Sequence, residues 1–532
     1  MIEMQSAAPN PSPHRLAVAA LFAVLCMAYL VWGWSYDITD LGGDSAYYML
    51  AARHFSPFAP PMPALEQALR ASVYPPLFPL AVGLLGASFL AAHLVVVVSL
   101  LAAVACLYLW LRDEGCGSAT AAWACGLFAL MPGTYLQALN IWTENSYLFL
   151  SLAAIVAANR AAAGGKHASA AWWLGAAAVA AATLVRAAAV PLLAAFALQL
   201  LMLRPRRWPL LLAAAAVPFC AWAAWSRLNQ SGLSGYAAQW RQSYAADPLG
   251  ALARQAGQEV FVLLRAWTQD WLAEGRTLLP AVLALLAGAI CLAGCAWRLR
   301  RRSFDAIYVV LYIALVLVWP FPAEGQRLSY VIVPVLLVQG ILWLRTMAGR
   351  QAQAAARLAC TALLAALSLI VLPSLVLAAA RFTQPLPAEM AAARHFPGWY
   401  TDDRRQSRRL AGSLAAILQD LRRVGDAVPP GECISSIKPS LVMLYTGRPS
   451  YAPPPQSAGD AEFAEGMARC RYAYLLAYVS PGYPQPFYPD RRLNGQARIV
   501  STVRLAEGAP PEPFAVLLDL AGARGGMPAS GP

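Results

Sequence analysis

The chain has 532 residues, of which 59% are hydrophobic and 13% are charged, and its formal net charge is +13. So apolar a composition, with a mean hydropathy of +0.51, excludes an ordinary soluble domain and places most of the chain in lipid. The arginines lie in short segments between apolar runs, where membrane proteins use them to set orientation. The positive charge therefore does not indicate nucleic-acid binding.

Apolar runs of near-spanning length predict a polytopic α-helical membrane protein with about eleven transmembrane helices, since about 20 residues cross the hydrocarbon core. The first run follows the basic pair His14 and Arg15 and lacks a signal-peptide cleavage pattern, so we interpret it as a retained span. In chain order, the predicted spans cover residues 15–34, 89–111, 118–135, 145–160, 169–185, 187–203, 208–226, 277–297, 304–320, 328–346 and 358–380.

The basic residues check this topology independently of helix length. With the N-terminus in the cytoplasm, every second loop is basic, as the positive-inside rule requires, and the loop at 298–302 carries four arginines. Counting the apolar stretch 76–90 as a further span would place that loop outside. We therefore predict that this stretch is an interfacial or re-entrant helix on the outer face, with Pro75 and Pro76 at its start.

The predicted organisation is a transmembrane domain at 1–380, followed by a soluble domain at 381–532 on the outer face of the membrane. The outer face of the membrane domain receives a first loop at 35–88 with juxtamembrane helices, a short loop around 136–144 and a loop at 227–276. Tryptophans and tyrosines lie among polar residues in the last of these loops, which predicts interfacial helices anchored by an aromatic belt.

Residues 381–532 contain no run long enough to span and have the size of one domain. Their pattern predicts a small α/β domain, with helices at 407–424 and 439–445 and strands at 433–437, 472–479, 497–503 and 514–518. The suggestive polar residues of this tail, Lys438 and Tyr445, we interpret as structural.

Two cysteines of this tail, Cys433 and Cys470, each adjoin a predicted strand. They form either a disulfide, which persists in an oxidising periplasm, or two buried free thiols, the alternative that residue type slightly favours. Most other cysteines lie in apolar runs, and the sequence shows no metal-ligand spacing.

Ionisable residues gather near the predicted outer ends of the spans. A transporter more often holds such residues at mid-membrane, at broken helices, whereas a ring of acids and arginines at one face suits a polar reaction beside lipid. The acids are Asp37, Asp40, Asp44, Glu144 and Glu324, and the arginines are Arg186 and Arg327.

These residues lie in segments that resemble those of a known superfamily. Asp44 opens the segment GDSAYYMLAARHF, the segment Pro75-Pro76-Leu77-Phe78 follows, Thr143-Glu144-Asn145 opens a later span, and Arg327 precedes Tyr330 and Pro334. Over roughly residues 15–345 this order resembles the GT-C glycosyltransferases that use lipid-linked sugars. It is most similar to the protein mannosyltransferases (glycosyltransferase family 39) and the bacterial aminoarabinose transferases.

The resemblance implies an enzyme, a hexosyl- or pentosyltransferase of GT-C fold. It also implies a bacterial inner (plasma) membrane as its location, with the C-terminal domain at 381–532 in the periplasm. It implies transfer of a sugar, with inversion, from a polyprenyl-phosphate donor to an envelope glycan, lipid or protein. Tyr74 stands where aminoarabinose transferases often carry lysine, and Glu144 stands in place of the usual Asp, so the donor sugar stays open.

The residues support this chemistry on their own. A polyprenyl-phosphate donor needs no nucleotide, in keeping with a sequence that has no nucleotide-cradling Gly-rich loop. We assign Asp44 as the general base, because a carboxylate is ionised at neutral pH and desolvation would make it a better base. Arg186 and Arg327 are the candidate phosphate ligands.

Each assignment has an alternative. Arg186 can snorkel to headgroups, and Arg327 can anchor the interface. Glu144 is assigned a catalytic role in orienting the acceptor, but it can also bind a divalent cation or, with Thr143, form helix N-cap chemistry. Three tyrosines are candidates for substrate contact: Tyr47, Tyr48 and Tyr74. For Tyr47 and Tyr48, packing at the interface is the more common role at such positions. The alternative functions are a transporter or flippase of lipid-linked sugars and a membrane scaffold.

Overall fold

A computed structural model describes most of the chain. The described residues are 13–32, 37–39, 43–60, 74–229, 244, 247–266, 278–319, 325–347, 353–386, 404–455, 458–477, 497–504 and 514–521. Two of the acids singled out in the sequence, Asp40 and Glu324, lie outside this part.

The membrane domain is a bundle of apolar helices with short helices at one end. The helices before residue 200 are α1 (Pro13–Trp32), α2 (Asp44–Phe55), α3 (Leu77–Leu84), α4 (Phe89–Asp113), α5 (Ser118–Leu130), α6 (Pro132–Leu139), α7 (Glu144–Ala162), α8 (Ala168–Val185) and α9 (Val190–Leu203). Those after it are α10 (Trp208–Asn229), α11 (Pro248–Ala266), α12 (Leu278–Arg300), α13 (Phe304–Leu317), α14 (Gly325–Ser329), α15 (Val333–Met347) and α16 (Gln353–Thr383).

Among the described residues, six helices are long and apolar enough to cross a membrane, or seven if the pair α5 and α6, bent by 58°, counts as one span. The apolar parts of α1, α9 and α13 are shorter than that criterion demands. Every predicted span falls on helical residues, but the predicted span 118–135 falls on the bent pair α5 and α6, and the number eleven stays a prediction. Helix α15 is buried along most of its length and therefore lies at the centre of the bundle.

The described residues between α1 and α4, a segment predicted to lie on the outer face, include the two short helices α2 and α3. Helix α3 starts after Pro76 and is only eight residues long, which fits an interfacial helix better than a span. It packs tightly on α2, because a Cβ atom at Gly83 would lie 2.7 Å from the carbonyl oxygen of Ala52. Any larger residue at Gly83 would therefore displace the helix that begins at Asp44.

The C-terminal region forms a five-stranded mixed sheet with helices, as the α/β prediction expected. Its helices are α17 (Arg404–Ala427), α18 (Pro439–Thr446) and α19 (Asp460–Ala468), and its strands are β1 (Ile434–Ser435), β2 (Ser450–Tyr451), β3 (Tyr472–Leu476), β4 (Arg498–Val503) and β5 (Ala515–Asp519). The strand order is β2-β1-β3-β5-β4, with β1 parallel to β2 and β3, and β5 antiparallel to β3 and β4. The sequence did not predict β2 or α19.

Cys433 and Cys470 are joined in a disulfide, with their Cα atoms 5.0 Å apart. The alternative of two buried free thiols, which residue type favoured, was therefore wrong. The parallel pairing of β1 with β3 explains this, because Cys433 directly precedes one strand and Cys470 lies two residues before the other. A bridge of this kind is typical of the oxidising side of a membrane.

We expect opposite labelling from the two sides of the membrane. In a Cys220→Ser background, which removes an exposed thiol, a cysteine at exposed Glu462 should react with an impermeant maleimide added to spheroplasts. A cysteine at exposed Lys166 should react only after permeabilisation, because basic loops stay cytoplasmic. If the maleimide labelled Lys166→Cys in intact spheroplasts but did not label Glu462→Cys, the predicted orientation would be wrong.

Candidate active site

Asp44 is the first residue of α2, and its position follows from the residue before it. Gly43 has a φ of 99°, a backbone conformation that glycine adopts without a steric penalty, and it turns the chain into the helix. The rest of α2 is largely buried, including Ser45, Ala46 and Tyr48. The side chain of Asp44 is 22% exposed, so the carboxylate is partly accessible from outside the protein.

Glu144 is the first residue of α7 and is almost completely buried, with 1% of its side chain exposed. The preceding Thr143 makes no side-chain capping hydrogen bond to the helix. Its hydroxyl instead accepts a hydrogen bond of 3.3 Å from Nη1 of Arg186. Thr143 therefore occupies the N-cap position of α7 without capping the helix through its side chain.

The two arginines approach from breaks between helices. Arg186 has extended backbone between the end of α8 and a single 3₁₀ turn, and Arg327 lies on the short helix α14 that leads into the central helix α15. Their side chains are only 12% and 15% exposed. The fold therefore directs both guanidinium groups into the protein, and the snorkelling and anchoring alternatives do not describe them.

These four side chains form one compact cluster with no net formal charge: Asp44, Glu144, Arg186 and Arg327. Because the sequence predicts that they lie at the outer face, we call this group the outer-face cluster. Nη1 of Arg327 donates to Oδ2 of Asp44 at 2.6 Å. The same arginine donates through Nε and Nη2 to the two oxygens of Glu144, and Arg186 donates through Nη1 to Glu144 as well. Glu144 thus holds both guanidinium groups, and Arg327 links the two carboxylates.

Aromatic residues surround one side of the cluster. The hydroxyl of Tyr74 donates to Oδ1 of Asp44 at 2.6 Å, and its ring lies 4.7 Å from that of Tyr47 and 5.3 Å from that of Tyr48. The guanidinium carbon of Arg327 lies 4.2 Å from the ring centre of Trp142. Sequence reasoning missed Trp142, although it directly precedes the Thr-Glu pair that was singled out.

The pKa of Asp44 results from opposing effects. Burial alone would raise the pKa of this carboxyl group, but the charge of Arg327 and the hydrogen bonds from Tyr74 and Arg327 outweigh it and hold the pKa below its usual range. The expectation that desolvation makes Asp44 a better base was therefore wrong for this arrangement. The carboxylate is ionised at neutral pH, but it is a weaker base than an ordinary aspartate.

The structure therefore brings together most of the candidate residues and separates one acid from them. Asp37 lies in a contact with the C-terminal domain instead of in the cluster. Within the described part of the chain, no group of three or more His, Cys, Asp or Glu residues is placed to hold a metal ion. In the cluster, two arginine side chains take the place next to Glu144 that a cation would need.

The fold is shared with solved structures of membrane glycosyltransferases. The chain superimposes on apo ArnT from Cupriavidus metallidurans with a TM-score of 0.52 and 14% identity, over 96% of this chain and 99% of that one. For the same protein bound to undecaprenyl phosphate, the TM-score is 0.49 and the identity is 13%, and the match covers 95% of this chain and 97% of that chain. For the mycobacterial arabinofuranosyltransferase AftD, the TM-score is 0.46 and the identity is 15%, and the match covers 95% of this chain and 40% of AftD.

No known family profile and no curated protein matches the chain in sequence. The likeness to apo ArnT extends over nearly the full length of both chains, the C-terminal domain included, and confirms the resemblance to the GT-C proteins for the fold. At 14% identity the likeness shows the fold alone and identifies neither the donor, the acceptor nor the role of any residue.

Proposed function

We propose that the protein is a glycosyltransferase of GT-C fold that moves a sugar from a polyprenyl-phosphate donor to an acceptor at the periplasmic face of the inner membrane. The outer-face cluster is the observation that carries this proposal. Two carboxylates and two guanidinium groups converge there, next to a juxtamembrane helix, and Asp44 is the most exposed of the four side chains. Burying such charges at a membrane face costs free energy, and ionisable residues kept there usually serve a function.

In the proposed reaction, an acceptor hydroxyl attacks C1 of the sugar while its proton passes to the carboxylate of Asp44. The bond between C1 and the phosphate oxygen breaks, and its electron pair leaves with the polyprenyl phosphate. One displacement without an enzyme-bound sugar inverts the configuration at C1. Since the donor is already activated by its phosphate, no nucleotide is needed.

Arg327 and Arg186 bind the phosphate in this scheme. A guanidinium group matches a phosphate through paired hydrogen bonds and stabilises the charge that develops on the leaving group. In the structure, however, Arg327 is bonded to Asp44. When Arg327 turns to the phosphate, Asp44 loses the cation that lowers its pKa and becomes a stronger base. Donor binding and base activation are thereby coupled.

Glu144 acts in this scheme as a positioning residue. It contacts both arginines and is too deeply buried for a direct role in accepting a proton from a bulky acceptor. Its charge keeps two like-charged guanidinium groups side by side, where they would otherwise repel each other.

Tyr74→Phe should shift the acid side of the pH profile. The hydroxyl of Tyr74 lowers the pKa of Asp44 by donating to it, so its removal raises that pKa. Because the base must be ionised, the acid limb of kcat/KM, which reports the free enzyme, should move to higher pH. Tyr47→Phe, which removes the neighbouring hydroxyl, serves as the control. A limb that stays in place or moves to lower pH in Tyr74→Phe would contradict the hydrogen bond's role.

The function itself is tested by mass spectrometry of envelope glycolipids and glycoproteins from cells lacking the gene and from cells carrying it. We expect a hexose or pentose mass to disappear with the gene, to return with the wild-type gene and not to return with Asp44→Asn. An unchanged set of envelope glycans would argue for transport or scaffolding. Full restoration by Asp44→Asn would remove this carboxylate from the mechanism.

A further inference from the structure

The C-terminal domain contacts the membrane domain at one acid of the first outer loop. The carboxylate of Asp37 accepts hydrogen bonds from Nη2 of Arg422, at 2.7 and 2.6 Å, and from the hydroxyl of Tyr445, at 2.6 Å. Arg422 lies on α17 and Tyr445 on α18. Burial and the charge of Asp37 raise the pKa of Tyr445, so its hydroxyl remains protonated and available as a donor.

The same contact extends to the helices beside the candidate site. The ring of Tyr445 stacks on Phe89 at the start of α4, with ring centres 6.2 Å apart. Nη1 of Arg53, near the end of α2, donates to the carbonyl oxygen of Leu444 at 3.2 Å. Helix α18 therefore touches the helix that carries Asp44 as well as the loop that precedes it.

Helix α2 is consequently held from two sides. Helix α3 packs against one side through the close approach of Gly83 to Ala52, and α18 contacts it on another. Two residues beyond Asp37, the hydroxyl of Thr39 donates to the carbonyl oxygen of Leu139 at 2.7 Å, which ties this loop to the end of α6. The loop is thus fixed between the C-terminal domain and the helix that leads to Glu144.

We propose that the C-terminal domain is a positioning element for transfer, acting through the contact of Arg422 and Tyr445 with Asp37 to hold α2, and with it Asp44, in its place beside Arg327. This inference rests on the proposed function for its effect on rate, but not for its effect on α2. Tyr445, which sequence reasoning treated as a structural residue of the tail, becomes the central residue of this contact. The contacts of Asp37 described above are with Arg422 and Tyr445.

The test compares Asp37→Asn, Tyr445→Phe and Arg422→Ala with the matched control Arg423→Ala, an exposed neighbour on the same helix. Asp37→Asn keeps an acceptor and removes the charge, and Tyr445→Phe keeps the ring that stacks on Phe89. Because a misplacement of about 1 Å can cost roughly 100-fold in rate, we expect kcat to fall by about 5- to 30-fold in Asp37→Asn and Tyr445→Phe. The donor KM should stay within about twofold, and Arg423→Ala should behave as wild type.

Hydrogen–deuterium exchange in detergent provides a readout that does not depend on catalysis. Amides of residues 44–55 should exchange faster in Asp37→Asn and Tyr445→Phe, and at the wild-type rate in Arg423→Ala. If α2 exchanges faster in the two variants but the wild-type protein transfers no sugar, the docking contact is supported and the proposed function is rejected. Exchange and kcat both at wild-type level in Asp37→Asn, Tyr445→Phe and Arg422→Ala would overturn the positioning role.

Discussion

Asp44→Asn should lower the rate of sugar transfer by about 10²- to 10⁴-fold, the usual cost of losing a general base. The amide cannot take the proton of the acceptor hydroxyl, yet it matches the carboxylate in shape, and its single oxygen can accept a hydrogen bond from either Tyr74 or Arg327. Arg327 keeps its partner Glu144 in this variant, so the cluster retains most of its hydrogen bonds. Expression and membrane insertion should therefore remain as in the wild type, as quantitative blotting of membrane fractions will show.

The matched control for this variant is Asp247→Asn, an acid that precedes α11 and is more than half exposed. Its side chain contacts Arg254 and the start of its own helix instead of the cluster. Transfer in Asp247→Asn should stay within about twofold of wild type. Turnover of Asp44→Asn close to that of Asp247→Asn would mean that another group removes the proton.

Glu144→Ala should affect stability as well as transfer. Its removal leaves two guanidinium groups with one carboxylate, that of Asp44, which contacts Arg327, and Arg186 loses the carboxylate that it contacts. Removing one partner of a buried ion pair typically costs about 3–5 kcal/mol in the free energy of unfolding. We expect a clearly lower unfolding temperature in detergent and, because the arginines are no longer held, a transfer rate near background.

The double variant Glu144→Ala with Arg186→Ala separates these effects. If the two residues act as a pair, the double variant should be more stable than the sum of the single losses implies, by about 0.5–3 kcal/mol. The control is Asp113→Ala, whose exposed ion pair with Arg160 is worth less than about 1 kcal/mol. Strictly additive losses in the double variant would show that Glu144 is stabilised mainly by something other than Arg186.

Several features of the fold could be predicted because they depend on local pattern. Apolar runs of spanning length must form helices in lipid, since every backbone polar group needs a partner there. The short helix after Pro76 was predicted from the charge of distant loops, and its eight residues agree with that interpretation. Alternating segments in the tail similarly predicted the strands β3, β4 and β5, whereas the two-residue strand β2 is too short to show a pattern.

The sequence by itself determined that this is a membrane protein with a C-terminal α/β domain and that Asp44, Glu144, Arg186 and Arg327 lie near one face. These properties depend on hydropathy and on position along each helix. Only the tertiary structure decided that Arg327 joins the two carboxylates, that Tyr74 bonds to Asp44 and that Asp37 belongs to the C-terminal domain's contact. Those pairings connect residues as far as 408 positions apart. They depend on how the elements of the chain pack against one another, and no local pattern encodes the distance between side chains on different elements.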